Sequence, residues 1–286
     1  MSQKCFHACH LTIPQTGCFS SFSLPCPSYN PLVDWSKKRI LVTGGTHGIG
    51  RAIALGLLDA GVMKLVIAAE EETPSGWSEF SAEGAHYIRA DLESEAEPTN
   101  LVHAAADRLG GLDGIVHCAG VYLESNPGER SPAAIWNTTM NIKARAGYLL
   151  AHAFSEIAPQ GGSFVAITSI NAEQSEPDHL AYDPACAALG GVIRAFAVQN
   201  APNIRFNALA PGLIHTRLTD EVAQSEEATA HVARNIPMRE MGKPEDCVGT
   251  ALFLLGEDSA YITGETIFVD GGIRANQMSR QDAEMS

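Results

Sequence analysis

From residue 39 onward the chain sets short apolar runs between longer stretches with helical spacing. The runs are RILVT (39–43), KLVIA (64–68), HYIRA (86–90), GIVHC (114–118), SFVAIT (163–168), IRFNAL (204–209) and TIFVD (266–270). Such runs, rich in Ile, Val and Phe, predict strands buried on both faces. Between them, GRAIALGLLDAG and PEDCVGTALFLLG repeat apolar residues at the three-to-four spacing of a helix. Strands alternating with helices predict an α/β fold, a single doubly wound domain around a seven-stranded parallel sheet, spanning residues 36–275. Residues 1–35, rich in Ser, Pro, Cys and Thr, show neither period and are expected to form an irregular extension. Residues 276–286 read as a polar tail.

Charge narrows the partners. Thirty-three acidic against nineteen basic residues give a net charge of -14 over 286 residues. That charge repels phosphate backbones and anionic lipid, so neither nucleic acid nor membrane is an expected partner. No apolar run is long enough to span a bilayer and the first residues lack the apolar core of a secretory signal, so a cytoplasmic location is expected. Four of the seven cysteines, Cys5, Cys9, Cys18 and Cys26, lie near His7 and His10 in the first 26 residues. Without paired C-x-x-C knuckles they read as thiols of an irregular segment, and no metal is expected.

The first strand runs straight into TGGTHGIG, residues 43–50, and a helix follows. Gly44, Gly48 and Gly50 permit a tight turn that brings helix N-terminal amides against a pyrophosphate. With the motifs further along, this turn makes the chain resemble the short-chain dehydrogenase/reductase family from about residue 39 to 272. The motifs are DL at Asp91 and Leu92, CAG at Cys118, Ala119 and Gly120, then Asn141, Ser169, Tyr182, APG ending in Pro211 and Gly212, Thr216, and ITGETIFVDGG. The resemblance implies a Rossmann-type fold, a homodimer or homotetramer with interfaces around 141–158 and 182–200, and NAD or NADP as cofactor. It also implies cofactor contacts from Thr46, His47 and Ile49 of the glycine turn, and from Tyr182 and Ile214.

A carboxylate after the second strand favours NAD by accepting from both ribose hydroxyls. Here Ala69 stands where the family often has aspartate and Glu70 follows, so NAD is slightly favoured, although a solvated acidic loop explains Glu70, Glu71 and Glu72 as well and His47 keeps NADP open. The 70–84 segment is short for a connecting helix, which predicts a more open adenine side.

By the same resemblance Ser169 polarises the substrate oxygen, Tyr182 exchanges its proton and Asn141 supports the relay. The departure is Cys186, four residues after Tyr182, where the family carries lysine. Residues four apart share a helix face, so the cation that would lower the tyrosine pKa from ~10 is replaced by a neutral thiol. Lowering that pKa by roughly three units corresponds to about 4 kcal/mol, which a thiol cannot supply. Lys143, two residues after Asn141, is expected on another face in solvent. His179 and His215, on loops expected to border the substrate pocket, are candidates to act near neutral pH in place of the lysine, although polar loop histidines without a catalytic role are the favoured reading of each. Leu213, Ile214, Leu218, Val222 and Met238 suggest an apolar substrate wall, and amphipathic packing of a surface helix explains them equally well. Two readings stay open: an NAD(P)-dependent oxidoreductase acting on a carbonyl or secondary alcohol of a mostly apolar small molecule through an atypical proton relay, and a repurposed member performing non-redox chemistry (cyclisation, isomerisation or dehydration) or binding a ligand without turnover.

Overall fold

The computed structural model describes residues 33–276 apart from 73, 75–76, 125–128 and 221–224. The N-terminal segment with its four cysteines, and the tail after 276, lie outside the described residues. Seven parallel strands are present: β1 (Arg39–Thr43), β2 (Lys64–Ala69), β3 (His86–Arg89), β4 (Gly114–His117), β5 (Gly162–Ile167), β6 (Ile204–Pro211) and β7 (Thr266–Val269). They are ordered β3-β2-β1-β4-β5-β6-β7 in one sheet. The direction of strand progression reverses between β1 and β4, so a crevice opens beyond the carboxyl ends of those strands.

The helices are α1 (Gly48–Asp59), α2 (Trp77–Ala82), α3 (Glu97–Leu109), α4 (Pro132–Met140), α5 (Ala146–Ile157), α6 (Tyr182–Asn200), α7 (Glu226–Asn235) and α8 (Val248–Leu255). Strand side chains alternate between two cores, as a period of two requires. Leu41, Val66, Ile115, Phe164 and Phe206 pack with α3, α5 and α6. Ile40, Val42, Ile67, Val116 and Val165 pack with α1 and α8. Burying each such side chain contributes about 1.5–3 kcal/mol, which is why the central strands carry apolar residues on both faces, with Arg205 and Asn207 of β6 as buried polar exceptions.

Two local features set up the site. Among its described residues the connection from β2 to β3 holds one helix, the six-residue α2, in keeping with the shortness of that segment. Between α4 and α5 the chain widens into a π-helical turn, Asn141–Arg145, in which the Ala146 amide donates to the Asn141 carbonyl five residues back. A widened turn shifts the facing of the residues inside it and frees carbonyls for other partners. No helix among the described residues is long and apolar enough to cross a membrane.

Candidate active site

A cavity of about 520 Å³ lies in the crevice at the strand ends, a size suited to a small-molecule ligand. One wall is the turn after β1 and the start of α1. Gly44 has φ +64°, and a Cβ there would lie 2.9 Å from the Ala119 backbone, so only glycine lets the turn close against the end of β4. Gly50 does not line the cavity. A Cβ on it would stand 2.2 Å from the Gly44 carbonyl oxygen, so its bareness seats α1 on the turn. The other residues expected to touch a cofactor, from Gly44 and Thr46 through Asp91, Leu92 and Gly120 to Gly212 and Thr216, all line this cavity.

At the end of β2, Glu70 and Glu71 both line the wall. Glu70 is exposed. Glu71 Oε1 lies 3.4 Å from His47 Nδ1. Glu71 Oε2 is buried with no hydrogen-bond partner among the described residues. Sequence reasoning singled out Glu70, and the orphaned acceptor belongs to its neighbour.

Ser169 stands just past β5 in extended backbone, its Oγ accepting from the Asn171 amide at 3.1 Å. Tyr182 opens α6, and both side chains line the cavity. Burial pushes the Tyr182 phenol well above its ordinary range; the neighbouring Cys186 thiol pushes it further, and hydrogen bonding with Ser169 pulls it back. Cys186 is fully buried one turn along α6, behind Tyr182 and outside the cavity lining. Its thiol is held above the ordinary range by burial, against the opposing charge of Lys143.

Around Tyr182 stand residues that the sequence did not single out. Glu124 accepts from the Ala181 amide at 2.7 Å and the Tyr182 amide at 3.2 Å, tying down the start of α6. An acid at a helix N-terminus also complements the helix dipole. The Tyr122 ring meets Tyr182 edge-on with centroids 5.9 Å apart, and His179 at 4.6 Å. His179 also contacts the Tyr182 ring at 5.8 Å and lies 3.3 Å from Asp183. It therefore supports the tyrosine without lining the cavity. His215 points outward, half exposed, 3.4 Å from Asp220.

The expectation for Lys143 is overturned. It is buried, 4% exposed, and lines the cavity. Its Nζ stands 5.7 Å from the centroid of the Tyr182 ring. Lys143 and Asn141 do face different ways, as their spacing requires, and it is Lys143, inside the π-helical turn, that faces the cavity. Asn141 does not line the cavity; its carbonyl serves the widened turn.

A buried chain of hydrogen bonds locks this arrangement. His117, at the end of β4, has Nε2 3.0 Å from the Lys143 carbonyl oxygen. That oxygen can only accept, so Nε2 carries the proton and Nδ1 accepts from the Thr43 hydroxyl at 2.9 Å. Thr43 Oγ1 in turn accepts from the Ala119 amide at 3.4 Å. Burial holds the His117 pKa down at about 4, so it is neutral at physiological pH. Gly147 makes room for the imidazole, since a Cβ there would lie 3.2 Å from His117 Cδ2.

On the substrate side Ile142, Ile214 and Leu218 give an apolar lining, joined by Val121 and the exposed Arg217. Leu213 and Met238 do not reach it, and Val222 lies outside the described residues.

Residues 44–274 match the family described as "Enoyl-(Acyl carrier protein) reductase". The chain is 34% identical over 246 residues to dehydrogenase/reductase SDR family member 4 of Homo sapiens, covering 83% of this chain and 87% of that protein. Among solved structures, a blue fluorescent protein from a metagenomic library in complex with NADPH superposes with a TM-score of 0.75 at 30% identity, covering 82% of this chain and 97% of the other. RhlG of Pseudomonas aeruginosa, in an active-site complex with NADP, superposes with a TM-score of 0.76 at 30% identity over 82% and 96% of the two chains. With the glycine turn, the strand order and the Ser169–Tyr182 pair in one crevice, these likenesses establish that the chain belongs to the short-chain dehydrogenase/reductase family.

Proposed function

We propose that the protein is an NAD(P)-dependent oxidoreductase that interconverts a carbonyl and a secondary alcohol on a mostly apolar small molecule. The observation that carries this reading is the pairing of Ser169 and Tyr182 in the same cavity as the glycine turn. The residues fit a nicotinamide dinucleotide. Positive φ at Gly44 and Gly48 keeps the turn free of side chains, the first turn of α1 opens on the cavity, and Glu71 Oε2 has no donor among the described residues. Such a cofactor, when bound, supplies or accepts the hydride.

The chain's own residues carry the proton. In the reducing direction the Ser169 hydroxyl donates to the substrate oxygen and polarises the carbonyl. Tyr182 then gives its phenolic proton to that oxygen as carbon receives hydride, leaving a phenolate and an alcohol. A phenol held well above its ordinary range is protonated at rest, the form in which it can give that proton. Ile142, Ile214 and Leu218 exclude water around the reacting carbon.

Between cofactors we favour NAD. Glu70 and Glu71 at the end of β2 suit two ribose hydroxyls and repel a 2′-phosphate. Removing both carboxylates, Glu70→Ala/Glu71→Ala, is expected to raise the NADP(H)-to-NAD(H) affinity ratio at least tenfold. We further propose a homo-oligomer through α5 and α6, whose Tyr148 and Val198 are exposed.

The deciding experiment follows nicotinamide absorbance with NADH and NADPH across apolar ketones and aldehydes. Turnover lost by at least a hundredfold in Tyr182→Phe supports the reading. Cofactor binding without any absorbance change across the panel overturns it in favour of a non-redox role, in which neutral Ser169 and Tyr182 hydroxyls hold a developing oxyanion.

A further inference from the structure

Cys186 leaves this site without the cation that the family sets one turn after its tyrosine, yet a different lysine is already inside. Lys143 is 4% exposed, lines the cavity and holds its Nζ 5.7 Å from the Tyr182 ring centroid. Across from it, a Cβ built on Gly120 would lie 3.1 Å from Nζ, so the ammonium rests against the bare floor of the cofactor crevice.

The groups facing the Lys143 ammonium can be named element by element. From α6 come Tyr182 and Cys186, and from the end of β4 comes Cys118; its charge favours the thiolate form of each cysteine. His117 is neutral and engages the Lys143 carbonyl, not the ammonium. The nearest carboxylate on α6, Asp183, is taken up by Asn171 and the Glu176 amide. No carboxylate among the described residues pairs with Lys143. A buried, uncompensated ammonium is costly, and a residue such as methionine would fill the same space without that cost. Its position beside a tyrosine and a glycine floor gives the charge a use.

We propose that Lys143, carried in by the π-helical turn, is the cation of this active site. It stabilises the phenolate that Tyr182 becomes on releasing its proton, and it donates to the ribose end of the nicotinamide cofactor. The site has thus exchanged a lysine on α6 for one on the facing helix. The proposal rests on the oxidoreductase reading, but its test is made on binding.

The test uses the full chain and the fluorescence of NADH and NADPH on titration, with near-ultraviolet circular dichroism as the check on folding. Lys143→Met is expected to weaken binding tenfold or more, and Lys143→Arg to keep it within threefold. The double variant Lys143→Met/Cys186→Lys is expected to recover most of the loss, which a merely structural Lys143 would not allow. Unchanged binding in a folded Lys143→Met protein overturns the proposal. So does a loss that the double variant leaves unrepaired when Cys186→Lys alone binds normally. Should Lys143→Met or Cys186→Lys unfold, Lys143→Arg decides, since a tenfold loss with the charge retained overturns it. Wild-type protein that binds both dinucleotides but turns over nothing in the panel sinks the oxidoreductase reading and leaves the binding result standing.

Discussion

Replacing His117 with glutamine takes one titratable group out of the hydrogen-bonded chain that joins β1, β4 and the π-helical turn. The glutamine amide can still donate to the Lys143 carbonyl, but it cannot be charged. In the wild type the imidazole is held at about 4 against an ordinary value of 6.5, chiefly by burial and secondarily by the charge of Lys143, opposing the hydrogen bond to the Lys143 carbonyl. An unfolded chain takes up this proton as pH falls through 6.5, whereas the folded chain refuses it until about 4. Between those values the unfolded state binds more protons, so stability falls on acidification and is flat above neutrality. The full separation corresponds to about 3 kcal/mol, of which about 1.4 kcal/mol is already lost between pH 7.5 and pH 5.5. Working at pH 5.5 keeps the protein above its pI of about 5.1, where self-association begins to interfere. Urea unfolding of wild type and His117→Gln at the two pH values reads the difference directly, because the carboxylates titrate alike in both and cancel. The stability gap is expected to move by about 1.4 kcal/mol against the wild type on acidification. A gap constant to within about 0.4 kcal/mol would refute the assignment of His117 as a neutral, buried donor to Lys143.

Other substitutions probe the frame around the site. Gly50→Ala forces a methyl against the Gly44 carbonyl oxygen at 2.2 Å, and should cost about 2 kcal/mol of stability in urea unfolding and weaken dinucleotide binding more than tenfold. Glu124→Gln removes the charge that the Ala181 and Tyr182 amides share; it should lower the turnover number with little change in cofactor affinity, seen as a kcat loss at constant NADH dissociation constant. Arg205 is buried and donates to the Leu254 and Gly256 carbonyls and to Ser259, closing the end of α8. Arg205→Met should cost about 3 kcal/mol by the same unfolding assay, as the guanidinium's four hydrogen bonds, to Leu254, Leu255, Gly256 and Ser259, are lost together.

The sheet was legible because central parallel strands must be apolar on both sides, and runs such as RILVT and SFVAIT have no other reading between helical stretches. The bounds erred only at strand ends, where β6 runs on to Pro211 because Ala210 and Pro211 stay paired with Phe268 and Val269 of β7. The glycine turn that lines the cavity was legible for a different reason: glycines at fixed offsets are demanded by backbone geometry, and geometry leaves a pattern. Lys143 was not legible. Its facing depends on a helix wound five residues to the hydrogen bond, and NIKAR carries no local sign of that winding. Glu124 and Tyr122 were hidden too, because they reach Tyr182 across some sixty residues of chain and only the folded loop brings them there. His117 reads as one more polar letter at a strand end until its two nitrogens are each given a partner.

The wide turn at Asn141–Arg145 makes the placement of a charge depend on a count of residues. In a regular helix, removing one residue swings everything beyond it by about 100° relative to what precedes it. Taking a single residue out of this turn would therefore restore ordinary winding, swing Lys143 off the Tyr182 ring and withdraw its carbonyl from His117. It would do so without altering any residue that lines the substrate wall beyond Ile142. Length, here, places a charge: a deletion with no chemical content of its own would move the ammonium, and the helix on either side would still form.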